Sequence, residues 1–214
     1  MIHTFKKVLI VFLLPLCGLW FIGQGSYIHA KAVVAQLLLE TAWTDTLSGN
    51  KEVKPWPWAD TWPVARMQVP RLDIDLIVLA GDSGRTLAFG PGHNFASASP
   101  GLTGNSLISA HRDTHFEFLQ YLNDGDSIYI ETPTKLKKHF IVSASQVVNI
   151  NNSILVPDEQ AAFLHLVTCY PFNSLLPGGE QRFIVSAIEQ TNSHMTLLSA
   201  GLSHNEQPLY KSTF

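Results

Sequence analysis

Leu164-His165-Leu166-Val167-Thr168-Cys169 is a short apolar run ending on a cysteine, and the turn-rich segment Tyr170-Pro171-Phe172-Asn173-Ser174-Leu175-Leu176-Pro177-Gly178-Gly179 follows it. A run of this length, closed off by Pro and Gly, reads as a buried β-strand opening onto a loop. Working outward, Leu72, Ile74, Leu76 and Val78 alternate with Asp73, Asp75, Ile77 and Leu79. Asn105–Ala110, Ser127–Thr132, His139–Val148, Phe163–Thr168 and Phe183–Ile188 are rich in Ile, Val, Phe or Thr, and turn formers such as Asn123-Asp124-Gly125-Asp126 separate them. Many short strands with such punctuation predict an all-β barrel or sandwich. Phe116–Leu122 reads as one or two helical turns.

The 214 residues are 46% hydrophobic and 14% charged, enough for a packed core and unlike a disordered chain. Fourteen basic and 17 acidic residues give a net charge of -3, which offers no electrostatic reason to expect nucleic acid as a partner. Lys6 and Lys7 precede the apolar run Val8–Gly23, and no charged residue occurs from Val8 to His29 with that histidine neutral. About 20 apolar residues cross a bilayer, so residues 1–30 are predicted as an uncleaved transmembrane anchor. Ser26-Tyr27-Ile28-His29-Ala30 is a poor cleavage site, and Leu16 before Cys17 is too bulky for a lipoprotein signal. The basic pair puts the rest of the chain outside the membrane.

Residues 31–63 are predicted as a juxtamembrane helix, Lys31–Trp43, followed by a polar linker, Thr44–Lys54, and the extended stretch Lys54-Pro55-Trp56-Pro57-Trp58-Ala59-Asp60-Thr61-Trp62-Pro63, whose tryptophans pack on the outside of the following domain. Residues 64–190 form the folded domain, and 191–214 read as a polar, patternless tail.

Only two cysteines are present, Cys17 and Cys169, so the folded part holds no disulfide. An unpaired thiol outside the cytoplasm is exposed to oxidation and calls for a use. A nucleophilic cysteine needs a base or cation beside it. Among nine histidines, His111 stands out because it ends the strand Ser106–Ala110 and begins the polar turn His111-Arg112-Asp113-Thr114-His115. His165 lies inside a strand and His93 in a Gly-Pro-Gly-His turn, which suits structural roles. Arg182 opens the last strong strand, where an antiparallel partner would set it beside Cys169. A guanidinium there is able to hold a substrate carbonyl or a developing oxyanion, but from its position alone Arg182 reads first as a surface arginine on a strand.

Leu166-Val167-Thr168-Cys169 followed by Arg182 resembles the Leu-x-Thr-Cys…Arg signature of sortases, and Ser109-Ala110-His111-Arg112-Asp113 resembles the histidine segment of that family. More narrowly, Trp56–Asp60, Leu87–His93, His111–Phe116 and Thr168–Phe172 look like the class GN sortases of proteobacteria. His165 stands where Thr is frequent, and Ala110 where Gly usually precedes the histidine. The resemblance implies an eight-stranded sortase-type β-barrel with short helices. It implies a cysteine transpeptidase of the thiol-peptidase class, with Cys169, His111 and Arg182 catalytic and Thr168, Ala110 and Tyr170 in contact with substrate. It further implies an LPxTG-like sorting motif on a surface-protein partner, an amine acceptor, no cofactor and no metal, and a place in the bacterial inner membrane facing the periplasm.

Three rivals are weaker. His111 and His115 are spaced as in a zinc helix but lack the accompanying Glu. A papain-like enzyme carries its cysteine early, and the Ser-x-Gly-Cys mark of L,D-transpeptidases is absent. A non-catalytic, membrane-tethered β-barrel binding module is the remaining alternative and predicts an inert Cys169.

Overall fold

Eight strands close a barrel in the order β1-β2-β3-β4-β8-β9-β6-β5. They are β1 (Pro63–Val69), β2 (Ile74–Ala80), β3 (Gly92–His93), β4 (Gly104–Ser109), β5 (Ser127–Glu131), β6 (Lys137–Asn149), β8 (Ala162–Cys169) and β9 (Gln181–Glu189). The computed structural model describes residues 2–151, 153–155, 161–174, 178–190 and 210–212, with the side chains of 2–12, 14, 153–155 and 210–212 left out. The β2–β3 and β4–β8 pairs are parallel and the other barrel pairs antiparallel.

Period-two burial builds the interior. Ala65, Met67 and Val69 of β1 point inward and are fully buried, as are Leu164 and Leu166 of β8. Phe116 and Leu119, from the segment after β4, fill one end of the same core. Gly92 is required by a close approach: a Cβ there would sit 2.3 Å from the Gly81 carbonyl oxygen.

Strand β2 buries both faces. Val78 joins the barrel core, while Ile77 and Leu79 meet Leu39 and Trp43 of helix α1 (Ile2–Leu47). This explains why Asp75 is the one polar residue of β2. The chain divides into two compact units, Met1–Leu38 and Leu39–Phe214, so the last turns of α1 belong to the barrel unit.

Four expectations change. The anchor and the juxtamembrane helix are one continuous 46-residue helix, since nothing between Gly23 and Lys31 caps or stops it. Among the described residues no helix is long and apolar enough to cross a membrane; Gln24, Ser26, His29 and Lys31 dilute the described part of the run, and the side chains of Val8–Phe12 and Leu14 lie outside the described residues. The linker begins after Leu47 instead of at Thr44. Thr44 and Thr46 return their hydroxyls to the carbonyls of Glu40 (2.9 Å) and Ala42 (2.8 Å), and Gly49, at φ +100°, ends the helix. The tail contains a short strand, β10 (Tyr210–Ser212), paired antiparallel with β7 (Ser153–Leu155); 191–209 and 213–214 lie outside the described residues.

Of the tryptophans, Trp56 meets Phe89 edge-on at 4.8 Å and Trp62 lies 6.3 Å from Phe95, while Trp58 is 82% exposed. Segment Phe116–Leu122 contains a 3-10 helix, Glu117–Tyr121.

Candidate active site

Strands β4, β8 and β9 lie side by side, and their registers set the three candidate residues at one end. Cys169 pairs directly with Arg182 across the antiparallel β8–β9 ladder. Ser109 pairs with Val167 across the parallel β4–β8 ladder. The pairing runs on past the strand: the Ala110 N–H donates to the Val167 carbonyl at 3.2 Å. The Thr168 hydroxyl donates to the Ala110 carbonyl at 2.7 Å. The next position is His111, level with Cys169.

Alternation decides which face they use. Ile108 and Ala110 of the β4 edge, Leu164 and Leu166 of β8, and Val185 and Ala187 of β9 belong to the barrel core. His111, Cys169 and Arg182 are out of phase with these positions, so they share the outer face of the wall at one end of the barrel. His111 is exposed, and Cys169 is half-buried with a free thiol. Arg182 Nη1 donates to the carbonyls of Gly179 (2.8 Å) and Gln181 (2.9 Å), so the guanidinium is held by its own loop.

The three residues assigned to substrate contact behave differently from one another. Ala110 is buried in the core and Thr168, 2% exposed, spends its hydroxyl on Ala110. Both side chains face the barrel interior, and the Thr168 hydroxyl ties the end of β8 to the start of the His111 turn. Tyr170 is half-buried beside Cys169, with its ring 6.3 Å from Phe183 and 6.2 Å from Phe172. Its N–H donates to the Gln181 carbonyl at 3.1 Å, which carries the ladder one residue past the cysteine. The Tyr170–Pro171 peptide is cis.

Sequence reasoning missed Arg112. It is 8% exposed, and its Nη2 donates to the Ser174 carbonyl at 2.9 Å, tying the turn after His111 to the loop after Cys169. Its position between two candidate histidines was the available signal. His165 is a packed residue, fully buried on the outer face of β8. Its Nδ1 lies 2.9 Å from Ser186 Oγ and its Nε2 3.3 Å from Asn105 Oδ1, and burial pushes its pKa down to about 4. His93, in β3, is held by the Ala98 carbonyl at 2.9 Å. Burial lowers its pKa against the opposing pull of that bond and of Asp82. His115 is also held below the ordinary histidine range, by burial first and then by the neighbouring His111. Among the described residues no group of three His, Cys, Asp or Glu side chains gathers as a metal cluster.

The pattern of the Sortase domain family matches residues 67–190, more than half of the chain. The chain belongs to the sortase family. Sortase D of Bacillus subtilis (strain 168) is 29% identical over 119 residues, which is 56% of this chain and 60% of that protein, so the match spans less than two thirds of its relative. Among solved structures, sortase A from Corynebacterium diphtheriae (a lid mutant) is 26% identical, covering 74% of this sortase and 95% of that chain, with a TM-score of 0.55. A Clostridium perfringens sortase D5 transpeptidase shares the fold at 22% identity, with a TM-score of 0.57 over 74% of this sortase and 99% of that chain.

Proposed function

We propose that this sortase is a cysteine transpeptidase, of the class GN type, acting on a C-terminal LPxTG-like motif of a partner surface protein. The observation that carries this reading is the register of β4, β8 and β9, which brings the backbone of Cys169 opposite Arg182 and level with His111. The Clostridium perfringens sortase C structure, similar in fold, was solved with a C-terminal cell wall sorting motif, and the substrate class is taken from there. The apolar run Val8–Gly23 behind Lys6 and Lys7 supports anchoring in a bacterial inner membrane with the barrel on the periplasmic side.

The steps follow from the groups at hand. The Cys169 thiolate attacks the carbonyl carbon of the motif threonine, and a C–S bond forms. Negative charge collects on the carbonyl oxygen, where Arg182 offers Nε and Nη2, the nitrogens not engaged with Gly179 and Gln181. The C–N bond breaks as His111 gives its proton to the departing amine, leaving a thioester. An acceptor ammonium then passes a proton to His111, its amine attacks the thioester carbon, and a new amide forms. The second proton of the amine leaves to water, and the thiolate departs from carbon, restoring the starting pair.

The test is to incubate the full chain with a peptide carrying an LPxTG-like motif and weigh the protein intact. An acyl adduct on Cys169, lost in Cys169→Ala, is expected. Labelling of Cys169 by a thiol reagent slows in His111→Ala. A thiol that neither acylates nor responds to His111 refutes the enzyme and favours the binding module.

A further inference from the structure

Arg112 follows His111 directly in the chain, yet the acylation steps make no use of it. Its side chain is 8% exposed, too little to meet a substrate. A guanidinium costs far more to take out of water than an amide or an aliphatic chain, so packing alone does not account for an arginine here. Its Nη2 donates to the Ser174 carbonyl at 2.9 Å, and the partner lies five residues after Cys169. The bond therefore spans the site.

It joins two turns that are each closed on themselves. On one side, the Phe116 N–H donates to the His111 carbonyl at 3.0 Å and the Glu117 N–H to the Thr114 carbonyl at 3.3 Å, so Arg112 sits inside a compact turn headed by His111. On the other, the Ser174 N–H donates to the Pro171 carbonyl at 3.3 Å, and Phe172 within that turn meets the Phe183 ring at 5.3 Å. The strand ladder holds His111 from one side only. Its last bonds are the Ala110 N–H on the Val167 carbonyl and the Thr168 hydroxyl on the Ala110 carbonyl. One residue beyond them, the direction of the imidazole depends on what holds the chain on its far side, and Arg112 is the next residue.

We infer that Arg112 is a positioning residue: by holding the Ser174 carbonyl it clamps the His111 turn to the loop after Cys169 and sets the approach of the imidazole to the thiol. The inference rests on the transpeptidase reading above and adds to it how the imidazole is aimed. The planar guanidinium delivers its N–H in a fixed direction, and its charge strengthens the bond to the carbonyl. Lysine offers a point charge on a flexible stem and aims less well. Glutamine is shorter and uncharged.

The test is a double-mutant cycle on the full chain, with Arg112→Gln and His111→Ala separately and together. Two rates are read: labelling of Cys169 by iodoacetamide, and acylation of Cys169 by an LPxTG-like peptide. A displacement of about 1 Å costs on the order of a hundredfold in such a step. Arg112→Gln is therefore expected to lower the acylation rate at saturating peptide about a hundredfold, with KM within about twofold. It slows labelling about tenfold when His111 is present and less than about twofold in His111→Ala, since a residue that acts through the imidazole has nothing to aim once the ring is gone. Arg112→Lys falls between wild type and Arg112→Gln. Arg66→Gln is the comparison for a purely structural loss: Arg66 is bonded to Asp75 at 2.6 Å and Glu40 at 3.0 Å, and its removal lowers the melting temperature while both rates stay at wild type. Where Arg112→Gln melts below the assay temperature, Arg112→Lys takes its place in the cycle. An equal loss of labelling with and without the His111 ring, or wild-type rates in both Arg112 variants, overturns the clamp while the transpeptidase stands. A wild-type Cys169 that forms no thioester and labels indifferently to His111 sinks the transpeptidase and the clamp together.

Discussion

Acidification tests the buried polar bridge of the β4–β8–β9 wall. His165 is fully buried, and its neutral ring is satisfied on both sides: Nε2–H donates to Asn105 Oδ1 at 3.3 Å and Nδ1 accepts the Ser186 hydroxyl at 2.9 Å. A proton on Nδ1 would remove that acceptor and put a charge inside the packed wall, which is why burial lowers the pKa from 6.5 to about 4. The unfolded chain binds the proton at the ordinary value. Between those two pKa values the unfolded state therefore holds more protons, and stability rises with pH and falls on acidification. Linkage with those two values gives a loss of about 2 kcal/mol from pH 7 to pH 5 and about 3 kcal/mol by pH 4. His93 and His115 are lowered as well and add to the same slope, so the measurement is a difference. Urea unfolding of the wild type and of His165→Gln, followed by tryptophan fluorescence from pH 7.5 to 4.5, isolates the share of this residue. The wild type should lose about 2 kcal/mol more than the variant between pH 7 and pH 5. Parallel curves would show that the ring is not held neutral in the native wall and would refute the argument.

The Thr168 hydroxyl, bonded to the Ala110 carbonyl at 2.7 Å, fixes the turn that carries His111. Thr168→Val keeps the shape and removes the donor, at about 1–2 kcal/mol in chemical unfolding. The dependence of Cys169 labelling on His111 should weaken with it, and Thr168→Ser should restore both. Gly92→Ala puts a methyl group 2.3 Å from the Gly81 carbonyl oxygen and 2.9 Å from Asp82 Cα, so the β2–β3 junction must move. A loss of about 3 kcal/mol in thermal unfolding is expected, and a variant that melts with the wild type contradicts the close approach.

Most of the strands were legible because one face of each is apolar and Gly, Pro, Asn or Asp marks the ends. Strand β3 was not: two residues, Gly92 and His93, have no period, and their pairing with Leu79 and Ala80 is set by the β2 neighbour. The continuity of α1 was hidden by Gly23, Gly25 and Ser26, poor helix formers that nonetheless contain no proline to stop it. The catalytic candidates were legible as polar residues at the ends of apolar runs, since chain ends at one side of a barrel are where such groups converge. Arg112 was not, because its value lies in a bond to a carbonyl 62 positions away, and nothing local announces that partner.

The roles of Thr168 and Cys169 differ for a reason that lies in the strand itself. Along β8, Leu164, Leu166 and Thr168 turn inward while His165, Val167 and Cys169 turn outward, so one run of six residues supplies both core and site floor. A slip of one residue would bury the thiol in the core and bring Thr168 to the surface. Two contacts oppose that slip at separate points: the Thr168 hydroxyl on the Ala110 carbonyl at the site end, and the His165 ring on Ser186 nearer the middle of the strand. Hydrophobic pairs alone tolerate sliding, because one buried Leu or Val replaces another at little cost. A polar atom left without its partner in the same wall costs about 1–3 kcal/mol. The two polar contacts therefore hold Cys169 opposite Arg182 and level with His111, the alignment on which the proposed chemistry depends.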